Sequence, residues 1–187
     1  MCGRYTLFTD EEYQDIRKII RAVQEKGHEV KTGEIYPTNP APILVWEGKE
    51  TVPQAVKWGW PKFQGSGVLI NARAETAEEK NLFRKSVYTR RCVVPTTGLY
   101  EWDQEKAKYR FILPHANTLY LAGLYNEFQG ERRFLILTTE ANASVSFIHS
   151  RMPVIIFREM IDTWLEDTEK AVHMLHWQQP ELHIATQ

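Results

Sequence analysis

The sequence predicts an α+β fold in which strands dominate and short helices stay at the periphery. Three observations carry it. Five short apolar segments, Arg91–Val94, Leu99–Trp102, Tyr109–Leu113, Leu119–Leu124 and Phe134–Thr139, follow one another closely, which favours antiparallel pairing. Helical periodicity is confined to brief stretches, with no regular strand–helix alternation of the kind that builds a doubly wound sheet. At 187 residues, 43% hydrophobic and 25% charged, the chain suits a single domain, residues 1–187, with a sizeable core.

The elements read as follows. Thr9 and Glu12 form a capping box ahead of Tyr13, Ile16, Ile19, Ile20 and Val23, whose spacing is helical, and Gly27 ends that segment. A turn-rich loop, Tyr36-Pro37-Thr38-Asn39-Pro40, precedes a hairpin of Ile43–Trp46 and Val52–Trp58 joined through Glu47-Gly48-Lys49. Val68–Ile70 is a short strand, and a short helix runs through Phe83 and Val87. Beyond the five apolar segments, Ala141–Ile148 reads as a helix leading to His149 and Val154–Ile156 as a strand. Met160–Leu165 and Glu169–His176 read as helices, the second capped by Thr168.

Composition removes several functional classes. No apolar run reaches ~18 residues, so no membrane span is expected, and the first residues do not read as a secretory signal. A cytoplasmic protein, nucleoid-associated if bacterial, follows. Cys2 and Cys92 form no disulfide framework, and no Cys-x-x-Cys pair exists to start a zinc site, so neither metal nor cofactor is expected. Cys92 reads as a buried strand residue, and His173 and His176 as surface helix residues. A net charge of −1 does not advertise nucleic acid, although Arg84, Lys85, Arg90 and Arg91 form a dense basic cluster.

The start of the chain is chemically distinctive. Met1-Cys2-Gly3-Arg4-Tyr5 places a small residue behind the initiator methionine, so trimming would leave Cys2 with a free α-amine and a thiol on adjacent carbons. The amine titrates near ~7.7–8 and the thiol near ~8.5, so both are partly reactive at neutral pH. Such a pair suits an aldehyde trap, imine first and thiazolidine second, or an N-terminal nucleophile. Three further polar groups stand at junctions of apolar segments: Asn71, Glu101 between Tyr100 and Trp102, and His149. Desolvation of Glu101 would raise its pKa towards an acid–base range, and a histidine can shuttle protons near neutrality.

Five motifs in order, Met1-Cys2-Gly3-Arg4-Tyr5, Trp58-Gly59-Trp60, Asn71-Ala72-Arg73-Ala74-Glu75-Thr76, Gly98-Leu99-Tyr100-Glu101-Trp102 and His149-Ser150-Arg151-Met152-Pro153, strongly resemble the SRAP family (SOS-response-associated peptidase). The resemblance runs from residue 1 to about residue 157. It implies antiparallel sheets with a barrel-like core and short helices. It also implies a monomeric protein of the DNA-damage (SOS) response that binds single-stranded DNA and crosslinks covalently to abasic sites, with associated lyase or peptidase (hydrolase, protease) activity. Carried over residue by residue, Cys2 would crosslink, Glu101 would assist proton transfer during imine formation, His149 would aid sugar-ring opening or proton transfer, and Asn71 would hold the N-terminal residue and the sugar. Arg4, Arg73 and Arg151 would line the DNA groove, and Trp58 would form its wall beside splayed bases. The chain departs from the family at Tyr36, which is followed by Pro37 where an asparagine is usual, with Asn39 further on; the arginine cluster at 84–91 would offset a weaker hold on DNA by that loop. Two competing readings remain: a thiol peptidase using Cys2 with His149 or the α-amine as base, and a noncovalent single-strand or junction binder.

Overall fold

The computed structural model describes residues 3–185, so Cys2 lies outside the described residues. The first half of the chain gives β1 (Arg4–Leu7), α1 (Gln14–Gln24), β2 (Gly33–Ile35), β3 (Pro40–Glu47), β4 (Glu50–Trp58), β5 (Trp60–Pro61), β6 (Val68–Leu69) and β7 (Asn71–Arg73). Two helices follow, α2 (Ala74–Ala77) and α3 (Asn81–Thr89), then β8 (Arg91–Thr96), β9 (Gly98–Trp102), β10 (Lys108–Ile112), β11 (Leu119–Phe128) and β12 (Glu131–Glu140). The last part comprises α4 (Ala143–Ser146), β13 (Arg151–Pro153), a 3-10 turn at Arg158–Met160, α5 (Ile161–Glu166), α6 (Thr168–Met174) and β14 (His183–Ile184).

Strands β11, β8, β3, β4 and β12 pair in that order, and β12 returns to β11, closing a five-stranded barrel. Their period-2 alternation serves two cores at once. Ile43, Val45, Cys92, Val94, Leu121, Phe134 and Ile136 fill the interior, while Leu44, Val93, Tyr120, Ala122, Leu135 and Leu137 face outwards under the helices. In β3, β8, β11 and β12 both faces contribute buried residues, which is why they read as apolar runs rather than as polar–apolar alternation, whereas β4 buries only Val56 and Trp58, both in the interior. The second sheet, ordered β14-β10-β9-β1-β2 and antiparallel throughout, lays Tyr5, Leu7, Ile35, Leu99 and Phe111 into the interior core. Its β1 strand is latched at the far end: the Thr6 and Thr97 hydroxyls share a 2.7 Å hydrogen bond, and Thr96 Oγ1 lies 2.8 Å from the Thr6 carbonyl.

The hairpin β3–β4 forms as the sequence indicates, only longer. All five apolar segments pair antiparallel with another of the five, β9 with β10, β11 with β12 and β8 with β11, but β8 and β9 enter different sheets, and β12 also runs parallel to β4 and β7. Helix α1 starts at Gln14 rather than behind Thr9; no side chain caps it, and the Tyr13 amide bonds the Asp10 carbonyl in a preceding turn. Only Ala143–Ser146 of the expected 141–148 helix forms, capped by Asn142. Asp167, not Thr168, caps α6, because the Thr168 hydroxyl donates instead to the Tyr88 carbonyl. The strand near Val154 falls on Arg151–Pro153; Val154 and Ile156 instead bond singly to Leu137, Ala122 and Tyr120.

Gly59 separates two buried tryptophans. In a regular strand Trp58 and Trp60 would share a face, yet Trp58 lies in the interior core and Trp60 in the outer one. A φ of +106° at Gly59 makes the switch, and a Cβ there would meet Val68 Cγ2 at 2.7 Å. Gly59→Ala should therefore destabilise the fold by about 2–3 kcal/mol, combining backbone strain with a clash. Urea denaturation checks this; an unchanged midpoint would show that the chain reaches both cores without the left-handed turn.

Candidate active site

Glu101 lies on the inward face of β9, with Leu99, and is only 3% exposed. Strand alternation turns Tyr100 and Trp102 to the opposite face, so the core rather than the flanking aromatics desolvates this carboxyl. Burial pushes its pKa up, and the charge of nearby His149 pulls the other way. His149 follows α4, and its Nδ1 accepts the Arg151 amide at 3.0 Å. That contact makes Nδ1 the acceptor nitrogen, with Nε2 as the donor. Beside it opens a cavity of about 510 Å³ lined by residues that include Asp103, Glu105, Phe147 and Ser150.

Asn71 opens β7, which runs parallel to β12 with Asn71 opposite Ile136. The preceding carbonyl, of Ile70, accepts from Trp58 Nε1 at 3.2 Å and from the Ile136 amide at 3.0 Å. Asn71 is 6% exposed, and neither side-chain amide atom has a hydrogen-bond partner among the described residues. Leaving such atoms unbonded costs about 1–3 kcal/mol each, a cost that a polar partner would remove.

The three arginines differ. Arg151 makes a bidentate pair with Glu75, at 2.7 and 2.8 Å, and also donates to the Thr138 carbonyl at 2.6 Å. Arg4 bonds Glu34 at 3.2 Å, and its guanidinium carbon sits 4.2 Å from the Tyr36 ring centre and 4.8 Å from that of Trp102. Arg73 is exposed and has no ion pair among the described residues.

Two sequence expectations need correction. Trp58 has no exposed surface; it stacks with Phe134 at 6.3 Å and supports the strand that carries Asn71, so it cannot offer a face to a base. Arg91 is 6% exposed and donates to the carbonyls of Val87, Tyr88, Trp164 and Leu165, where it closes the C-terminal ends of α3 and α5. Arg90 is turned to Asn126, so the 84–91 run is not one free basic face. In the Tyr36–Pro40 loop, Asn39 Oδ1 accepts the Tyr36 amide, which commits Asn39 to the turn. Sequence reasoning missed Glu75 and Glu34. Glu75 sits inside the Asn71–Thr76 motif, just past a strand end, where only the fold reveals its reach to Arg151. Cys92 is buried, which pushes its thiol pKa well up, and among the described residues no group of His, Cys, Asp and Glu could hold a metal ion.

The family model for SOS response associated peptidase (SRAP) matches residues 1–185. The chain belongs to the SRAP family. Among relatives, it is 35% identical to the abasic site processing protein YoqW of Bacillus subtilis, covering 88% of this chain and 80% of that one. It is 25% identical to the abasic site processing protein YedK of Escherichia coli, at 88% and 79% coverage. Crystal structures of proteins from Bacteroides thetaiotaomicron (TM-score 0.76, 23% identity, 99% of this chain and 92% of that chain) and Bordetella bronchiseptica (0.78, 21%, 98% of each) share its fold. The antiparallel sheets, closed barrel and short helices are therefore those of SRAP proteins.

Two pH dependences follow. Glu101 becomes a weaker acid on folding. At low pH both states carry its proton; above the raised folded value the native state must bury a charge that the unfolded chain keeps in water. Glu101→Gln should match the wild type in acid and become increasingly the more stable protein as pH rises, as read from melting temperatures; a constant difference would place the carboxyl in an aqueous setting. Glu75 behaves oppositely. The hydrogen bond from Arg151 lowers it to about 2, so its stabilisation is present above the unfolded value of ~4.3 and lost as pH falls towards 2. Glu75 is 39% exposed, so screening reduces the contribution, and Glu75→Gln should cost about 1 kcal/mol at neutral pH and almost nothing near pH 2.

Proposed function

We propose that this protein processes abasic sites in single-stranded DNA by covalent capture through Cys2, once Met1 is removed. The observation that carries this reading is the buried carboxyl of Glu101, its pKa raised by burial, near His149 and on a strand paired directly with β1. Arg4, two residues after Cys2, is the register partner of Tyr100, next to Glu101. The names of the relatives, abasic site processing proteins, supply the substrate class.

The chemistry balances on groups of this chain. An abasic sugar in its open form presents an aldehyde. The Cys2 amine adds to that carbon, and the resulting carbinolamine loses its hydroxyl as water when Glu101 donates a proton, giving an imine. The Cys2 thiolate then adds to the imine carbon, forming the C–S bond while the nitrogen takes up a proton; the product is a thiazolidine. His149 Nε2–H donates a hydrogen bond to the sugar ring oxygen as the ring opens, while water carries the proton from the anomeric hydroxyl to that oxygen. Asn71 supplies an amide donor and acceptor to hold the sugar. Ring closure removes the imine that would otherwise promote strand cleavage by β-elimination, so capture shields the strand.

The test is a denaturing-gel shift with trimmed protein and a single strand carrying one abasic site. A band that survives denaturation, requires the lesion and vanishes in Cys2→Ala is expected. Glu101→Gln should slow its formation about 100-fold, the scale of a lost general acid. No band from protein proven to start at Cys2 overturns the proposal. Cys2-dependent peptide turnover without DNA would put the peptidase reading in its place.

A further inference from the structure

The outward face of the five-stranded sheet carries cations interleaved with aromatic rings. Arg4, Tyr100 and Arg110 are register partners across β1, β9 and β10, and Trp102 is paired with Lys108 in the next row. Register partners point to the same side of a sheet, and neighbouring strands lie ~4.8 Å apart. The row from Arg4 to Arg110 therefore spans about 10 Å, on the scale of one to two nucleotide steps. Lys108 Nζ lies 3.7 Å from the centre of the Tyr100 ring, and the Arg110 guanidinium 5.3 Å from that of Phe8.

Arg110 ends this row in an unusual state. Glu34 neutralises both Arg4 and Lys108, at 3.2 and 2.5 Å, but no carboxylate pairs with Arg110 among the described residues. Its Nη1 is buried and has no hydrogen-bond partner among those residues. Arg110 lines a cavity of about 560 Å³ together with Phe8, Tyr100, Lys108 and Ile184. That volume falls in the range of small-ligand sites. A guanidinium with no carboxylate partner among the described residues suits a phosphate-like anion, and rings beside it offer stacking to a base.

We propose that this cavity is a second nucleotide-binding subsite, in which Arg110 holds a phosphate and Phe8 and Tyr100 pack against a base of the same single strand that passes Arg4. The proposal rests on the single-strand reading above. A subsite in line with Arg4 extends the grip to nucleotides flanking the lesion without touching the chemistry, and recognises no sequence, because stacking and phosphate contacts carry none.

The experiment measures two things on full-length Arg110→Ala and Arg110→Ala/Lys108→Ala proteins. The first is fluorescence-anisotropy affinity for undamaged oligothymidylates of 5 and 15 nucleotides over a salt series. The second is the crosslinking rate with saturating abasic 5-mer. The 15-mer should bind about 5- to 10-fold more weakly to Arg110→Ala, with the salt slope reduced by ~0.7 per cation removed, while the crosslinking rate stays at the wild-type level. Arg110→Lys, which keeps the charge without the fork, should recover the slope but only part of the affinity. Unchanged 15-mer affinity and slope in both variants overturn the subsite. So does Arg110-dependent binding of polyglutamate at the strength of the 15-mer, which would make the surface a dock for acidic protein. Failure of the wild type to crosslink at all would instead refute the capture reading and leave the oligothymidylate titration to decide the subsite.

Discussion

Strand β12 is hydrogen-bonded along both edges by four different strands, and the site hangs from it. One edge takes β11 and then β13; the other takes β4 and then β7. Its first half closes the barrel, and its second half delivers Asn71 on one side and the His149–Arg151 segment on the other. Glu75 locks this arrangement at the strand's end. One of its oxygens accepts from the Thr139 hydroxyl, the Glu140 amide and Arg151 together, so α2 is tied across β12 to β13. A network that spans three elements resists the separate movement of any one of them, which a site built from three strand ends requires.

The same architecture lets the protein carry polar groups that its core would otherwise reject. A buried carboxyl at Glu101 and a buried amide at Asn71 each oppose folding. Four of the five barrel strands pack apolar side chains on both faces, and this burial works against those costs. Local rules are broken at both groups, and both stand where the sequence leads one to expect chemistry.

Much of this was legible in the chain, for reasons that particular residues make plain. The β3–β4 hairpin could be read because Glu47-Gly48-Lys49 is a local turn signal, and Cys92 because it opens an apolar strand. Pairing of β12 with β4 and β7 could not, since parallel contacts join residues some 65 to 76 positions apart and leave no local mark. Trp58 shows the limit of residue type as a guide: an aromatic within a motif reads as a stacking surface, yet it is wholly enclosed and acts through the Ile70 carbonyl. Arg91 shows the same for charge, since four carbonyls at helix ends make a cation-binding pocket that no sequence pattern announces. The helix starts slipped because Thr9 and Thr168 are good caps by type, while the backbone turn at Asp10 and the Tyr88 carbonyl compete for their places.

Arg4 and Arg151 hold carboxylates, Glu34 and Glu75, in the absence of DNA, and this shapes how a strand could bind. A phosphate reaching either arginine must share or displace a carboxylate, so the electrostatic gain per contact is smaller than for a free cation. In return the guanidiniums are already fixed, Arg4 between two aromatic rings and Arg151 in a bidentate clamp, and little side-chain entropy remains to be lost. With a net charge of −1, long-range attraction would contribute little to encounter, and the proposed binding would rest on short-range, pre-organised contacts. A surface of this kind favours residence over rapid capture, which suits a protein whose proposed product is a covalent bond formed once at a rare lesion.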